Sequence, residues 1–285
     1  MRINHNISSM TTQGALYQAN RSLNNNIEKL STGLRVNRAS DDAAGLAISE
    51  NLRSQIKGAN QARRNAEDGI SALNIAEGAA NEVSSILQRM RELSIQSSTN
   101  TLTDSERKYT NQEFKQLSSE IDRIADVTNY NGLKLIAKDS GTSGRFGGGT
   151  VGSALWIDAN ETVGTDSITV TLDTLSADSN GLKVAALNIS SATGAQQAIA
   201  SLDTAIGSVN SMRANIGSYV NRLEHSVNNL LVSETNQQAA ESQIRDVDFA
   251  NESSNYTKNQ ILSQSATSML AQANTKSQSV LGLLG

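Results

Sequence analysis

A chain of 285 residues with no cysteine and no proline excludes a disulfide framework and thiol chemistry, and leaves no helix interior interrupted by a missing N–H. Its net charge of −4 argues against general nucleic-acid binding. Aromatics make up 3% and hydrophobic residues 37%, so burial falls to Ala, Leu, Ile and Val, which suit narrow helix-to-helix seams. The start, MRINHNISSM, lacks the apolar stretch of a secretory signal, and no run of about 18 apolar residues is long enough to span a membrane. Missing both proline and cysteine fits a chain that is threaded unfolded and then refolds quickly.

The first arm, residues 1–40, places Leu16, Ala19, Leu23, Ile27, Leu30 and Leu34 at steps of three and four, the coiled-coil spacing. Up to Leu34 it carries only Arg2, Arg21, Glu28 and Lys29 as charges. A second arm, 247–285, has Leu262, Ala266, Met269, Ala273, Val280 and Leu284, and from Ser253 onward only Lys258 and Lys276. Two charge-poor amphipathic ends are expected to pair and to be buried in an assembly. The polymerisation seam is placed on Leu16, Leu23, Ile27, Leu30, Leu262, Met269, Val280 and Leu284. Each stripe is thin, so both arms are expected to be disordered in the free subunit and to fold on polymerisation.

Between the arms the pattern predicts a helical rod. Ser40, followed by Asp41 and Asp42, reads as an N-cap. Leu52, Ala59, Ala66, Leu73, Ala80 and Leu87 then recur every seven residues, and the helix is expected to reach Ser98. A third helix carries Phe114, Leu117, Ile121 and Ile124. The rod's first half is thus 41–139. Residues 140–194 hold a Gly-rich loop, Ser140–Gly152, and a small β-region at the rod's tip. There Ser167–Leu175 alternates as a strand, Lys183–Ile189 is its expected partner across an Asn180–Gly181 turn, and Asn129–Ile136 forms another turn-plus-strand element. A returning helix, 195–246, carries Leu202, Ile206, Val209, Ile216, Leu223, Val227 and Leu230. The fold class is mainly α: a long antiparallel coiled-coil and helical-bundle rod with a small β-hairpin region.

No residue pattern points to catalysis, a cofactor or a metal. His5 and His225 stand far apart and outside any H-E-x-x-H motif, and Gly147-Gly148-Gly149 lacks the Lys and helix of a phosphate loop. Asp41 with Asp42 reads as a charged helix start, and Arg63 with Arg64 as a solvated face.

Five blocks carry a resemblance. LSTGLRVNRASDDAAGLAIS (Leu30–Ser49), LQRMRELSIQSSTNT (Leu87–Thr101), EIDRIADVTNYNGLKLI (Glu120–Ile136), RANIGSYVNRLEHSVNNL (Arg213–Leu230) and the run from Ser242 to Gly285 resemble bacterial flagellins, in the family's order. The resemblance implies a subunit of the motility filament, with both arms in an inner coiled-coil layer around an export channel. The short span from Ile136 to Ala195 implies little or no outer variable domain. Implied partners are other copies of the chain, the type III export apparatus, an export chaperone at the C-terminal segment, and hook-associated and cap proteins. Location outside the cell is expected, with a periplasmic flagellum as the alternative. A hook–filament junction protein is the runner-up function. Arg89, Leu93 and Glu113 match the positions through which flagellins are recognised by Toll-like receptor 5. Arg89 and Leu93 are four apart on one helix, and the Thr99–Asp104 turn is expected to bring Glu113 beside them on one surface patch.

Overall fold

Helices dominate the chain from its first described residue. The structure is a computed structural model and describes residues 6–137, 146, 153–158, 166–178 and 181–282, the last six for their backbone alone. Expectations placed on His5, most of Ser140–Gly152, Asn180, Leu284 and the side chain of Val280 lie outside the described residues. The chain divides into two compact units, residues 1–56 with 235–285, and residues 57–234.

In the first unit, helix α1 (Ile7–Thr32) begins where the Asn6 side chain accepts the Ser9 N–H at 3.1 Å. It ends because Gly33 adopts φ +72° and returns its N–H to the Lys29 carbonyl at 2.9 Å, a left-handed cap that glycine adopts without strain. Helix α2 (Ala43–Ser98) starts in this unit. Its cap is Asp42 rather than Ser40: Asp42 Oδ1 accepts the Gly45 N–H at 2.8 Å. Only a side chain two or three residues ahead reaches an orphan N–H of the first turn, and Ser40 lies too far back. The neighbouring Asp41 is spent on the loop, where it accepts the Arg38 and Asn37 N–H groups. The Arg38 bond is the chief reason that its carboxyl sits below the ordinary range.

Helix α5 (Phe249–Gly282) runs antiparallel to α1. Asn6 Nδ2 donates to the Ala273 carbonyl at 3.0 Å, the Ser263 hydroxyl to Asn20 Oδ1 at 2.8 Å, and Leu34 forms a β-bridge with Asp246. Around that bridge the Arg35 N–H donates to the Arg245 carbonyl at 2.7 Å and the Val247 N–H to the Gly33 carbonyl at 3.0 Å. Backbone pairing, not an apolar core, ties the base of the two arms together.

The second unit holds the core. The rest of α2, helix α3 (Asp104–Val127) and helix α4 (Ala192–Arg245, to residue 234 in this unit) share one cluster. Of the predicted heptad, Ala66, Leu73, Ala80 and Leu87 are fully buried in it. At ~1.5 Å per residue, α2 is about 84 Å long, matching the expected run to Ser98. Arg107 closes the turn from α2 to α3. Nine-tenths buried, it donates to the Ser97 and Thr99 carbonyls at 3.0 and 2.8 Å and pairs with Asp104, so the orphan carbonyls at the end of α2 find donors.

A capping box starts α3. Glu106 Oε2 accepts from the Thr103 N–H at 2.7 Å and from its hydroxyl at 2.8 Å. The Thr103 N–H, first, and the hydroxyl, second, lower the Glu106 pKa from 4.5. A carboxyl depressed in the folded state stabilises fully above its unfolded value and loses that contribution as pH falls through the folded value. Glu106→Gln keeps a capping side chain but no charge. The gap in melting temperature between parent and variant is therefore expected to shrink as pH drops from about 6 to about 3; a constant gap across that scan contradicts the assignment.

Strands β1 (Asn129–Tyr130) and β2 (Leu133–Lys134) form a hairpin whose turn, Asn131-Gly132, takes φ +50° and +80°. This is the left-handed pair that such a two-residue loop requires. Strands β3 (Ser153–Trp156) and β4 (Ser167–Val170) pair antiparallel, Leu155 opposite Ile168. The expected partner of β4, Lys183–Ile189, is not a strand. Lys183 has φ +58° and both Val184 and Ala185 donate to the one Ala177 carbonyl, so the segment turns back on itself instead of extending. Helix α3 holds it in place: Asp122 Oδ1 accepts the Ala177 N–H at 2.7 Å, and Asn111 Oδ1 the Ile189 N–H at 3.0 Å. The strand expected over Ser167–Leu175 stops at Val170.

Candidate assembly surfaces

The α1–α5 pair sets polar and small side chains along its seam and turns large apolar ones outward. Along the seam α1 sets Ser9, Thr12, Leu16, Ala19, Leu23, Asn26 and Leu30, and α5 sets Tyr256, Asn259, Ser263, Ala266, Leu270 and Ala273. Both rows step by three and four, so the coiled-coil period is real, but half its positions hold polar or small side chains. The large apolar residues point elsewhere: Ile7, Met10, Tyr17, Ile27, Ile261, Leu262 and Met269 are exposed. Among the described residues of this unit, Val36 alone is a fully buried apolar side chain.

Within the α1–α5 pair of one chain, the residues assigned to the polymerisation seam divide. Leu16, Leu23 and Leu30 lie on the α1 side of it. Ile27 lies outside, because its neighbour Asn26 takes the inward position. Leu262 and Met269 flank the seam, which runs through Ser263 and Leu270 instead. In each case the row is displaced by one residue, about 100° around the helix. Asn26 is 8% exposed and its Nδ2 finds no hydrogen-bond partner. A polar group placed so costs stability and fixes register. Beside the seam, Leu262 and Met269 form one wall of an open groove of about 570 Å³ whose other wall comes from α1.

A second surface lies across α2 and α3. Arg89 donates through Nε and an NH2 nitrogen to Glu113 Oε1 at 3.0 and 2.9 Å, and to Glu92 at 3.1 Å. The bonds to Glu113, foremost, raise the guanidinium pKa further. Both side chains are about half exposed. Leu93 is not part of this patch. It is 1% exposed, inside the core with Met90 and Phe114. A step of four residues turns a helix ~40° past a full circle, enough to carry Leu93 from the rim of the patch into the core.

Two family models match the chain: the bacterial flagellin N-terminal helical region over residues 3–140, and the bacterial flagellin C-terminal helical region over 199–284. The chain belongs to the bacterial flagellin family. This flagellin is 47% identical to flagellin FlaB2 of Treponema pallidum and 42% identical to the flagellin of Bacillus subtilis, each match spanning the whole of both chains. It is also 47% identical, over the whole of both chains, to the flagellar filament 33 kDa core protein of Treponema phagedenis. The matched regions hold α1, α2, α3 and α5 whole, and α4 from residue 199 onward. Among its described residues no group of three or more His, Cys, Asp or Glu side chains gathers as a metal site, and no helix is long and apolar enough to cross a membrane. Sequence reasoning missed Asn26 and Arg107, and it read Asp42 as a helix-start charge while giving the cap to Ser40. The signal for Asp42 was present, a carboxylate three residues before Gly45. For Arg107 no pattern marks a guanidinium as an inward cap.

Proposed function

We propose that this chain is the structural subunit of a flagellar filament used for motility, exported unfolded and polymerised through α1 and α5. One observation carries the reading. The arms form a helix pair with almost no apolar core, and their large apolar side chains face outward, where only other subunits can cover them. Burying such a side chain fully is worth roughly 1.5–3 kcal/mol. In this reading residues 1–40 and 247–285 are the inner layer, 41–139 and 195–246 the next, and 140–194 a small β-region. The arms are loosely held in the free subunit and order fully on assembly. The C-terminal segment first serves an export chaperone, and hook-associated and cap proteins meet the filament at its ends. The chain performs no catalysis and takes no cofactor, nucleic acid or membrane. The filament lies outside the cell, with the periplasm as the alternative; protease digestion of intact cells separates the two. Purified chain seeded with filament fragments should grow long tubes in electron micrographs, whereas growth that stops at short collars would favour a junction protein.

The exposed Arg89–Glu113 pair supports a second reading, recognition of the free subunit by Toll-like receptor 5 through those two side chains. An exposed ion pair is screened by water and contributes little to folding. The Arg89→Ala, Glu113→Ala variant is thus expected to stay folded while its potency in a receptor reporter-cell assay falls by about tenfold or more, a loss of ~1.4 kcal/mol in binding. Unchanged potency removes the pair from the contact.

A further inference from the structure

On α1 the outward residues form a row. Ile7, Met10 and Tyr17 are 58, 65 and 70% exposed, and at 100° per residue they lie opposite the Leu16–Ala19–Leu23 seam, on the side of α1 turned away from α5. Gly14 completes the row at the same spacing. A Cβ added there would meet nothing within 4 Å, so packing inside the chain does not require a glycine that costs the helix about 1 kcal/mol relative to alanine. A glycine in an exposed helical row is explained by close approach of another body.

The groove on the same arm pair has complementary features. Its α5 wall presents Leu262 and Met269, and its α1 wall presents Thr11, Ala15, Gln18 and Ser22. None of its lining residues carries a charge, and neither does any residue from Ile7 to Tyr17, so bringing the two together strips water from no ion. The lengths match as well: from Ile7 to Tyr17 the row rises ~15 Å, and the wall from Thr11 to Ser22 rises ~16.5 Å.

We infer that the groove between α1 and α5 receives the Ile7–Met10–Gly14–Tyr17 row of a second copy of this chain. The inference rests on the filament reading and names the pairing within it. Row and groove are different surfaces of one arm pair, so the contact is heterologous: each docked copy leaves one free groove and one free row, and the assembly propagates. Packing of row against row would instead be self-complementary and stop at a dimer.

The chain has no cysteine of its own, so single cysteines report the pairing directly. Full-length Met10→Cys and Met269→Cys chains are mixed, polymerised on wild-type seeds and oxidised. A disulfide requires Cβ atoms within about 4.5 Å. The expected product is a mixed dimer from co-assembled filaments, with no dimer from filaments of either variant alone. Filaments without the mixed dimer, or Met10→Cys chains linking to each other, overturn the pairing. Gly14→Leu gives an independent measurement that does not depend on the cysteines. It has room in its own chain and a better helix former, so its helix content should be unchanged or higher. Its critical concentration for polymerisation should rise about tenfold or more. Normal polymerisation of Gly14→Leu overturns the proposal, while failure of the wild-type chain to polymerise refutes the filament reading beneath it.

Discussion

Removing residues 268–285 is expected to abolish polymerisation and leave the second unit folded. The deletion takes away Met269, which walls the groove, and Leu270 and Ala273, which lie on the seam. It also removes the Ala273 carbonyl and the Asn274 side chain, the acceptors for Asn6 and Ser9. An α1 left without that end of its partner is a helix with few charges and a thin apolar stripe, marginal in water alone. The main core cluster lies wholly within residues 66–223 and loses no contact. Thermal unfolding of the truncated chain should therefore keep the main transition of the parent, while sedimentation and electron microscopy show no filaments. Filaments of ordinary length from the truncated chain contradict the assembly reading.

Leu93→Ala is expected to destabilise the second unit by about 2–5 kcal/mol, because it deletes a fully buried side chain and leaves a cavity beside Met90 and Phe114. Arg89→Ala, one helical turn away on the half-exposed pair, should leave stability almost unchanged, since water screens an exposed ion pair. Urea unfolding of the two variants measures the difference. If they prove equally mild, Leu93 is accessible after all, and the contact patch regains an apolar member. The contrast also governs any receptor assay. A loss of signalling in Leu93→Ala reports unfolding unless stability is measured beside it, whereas a loss in the Arg89 and Glu113 variants reports the surface.

Which parts of this structure the sequence announces depends on how the signal is carried. The central helices are legible because Ala66, Leu73, Ala80 and Leu87 obey one period and all four are inside. The hairpin turn at Asn131-Gly132 is legible because two left-handed residues in a row demand that dipeptide. The arms are legible as a period but not as a phase. A search for the largest apolar residues selects Ile27 and Met269, yet the helix pair turns those outward and puts Asn26 and Leu270 in their place. The usual rule that apolar residues lie inside is not followed in these arms, where Ile27 and Met269 are exposed. The partner of β4 was hidden for another reason. Lys183–Ile189 follows an Asn-Gly turn signal, but Asp122 and Asn111 of α3 capture its backbone and that of the stretch before it, which is a tertiary contact no local pattern reports. The correct partner, Ser153–Trp156, is only four residues long. Of the surface across α2 and α3, the pairing of Arg89 with Glu113 followed from the turn between the helices. The burial of Leu93 depends on a rotation of ~40° that spacing alone does not resolve.

The bonds between the arms join residues 209 to 267 positions apart in the chain, whereas Arg89 and Glu113 are only 24 apart. Non-local pairings form slowly, since the entropy of closing the loop is lost before any contact compensates it. The α2–α3 pair can therefore assemble on the timescale of local encounter, while the α1–α5 pair closes last. It also cannot close on an unfinished chain. The Asn6 side chain finds its acceptor only when residue 273 has arrived, and the Leu34 bridge only when residue 246 has. The paired α1–α5 surface is thus a product of both ends at once, and a chain that stops short of its last turns carries no complete groove between them.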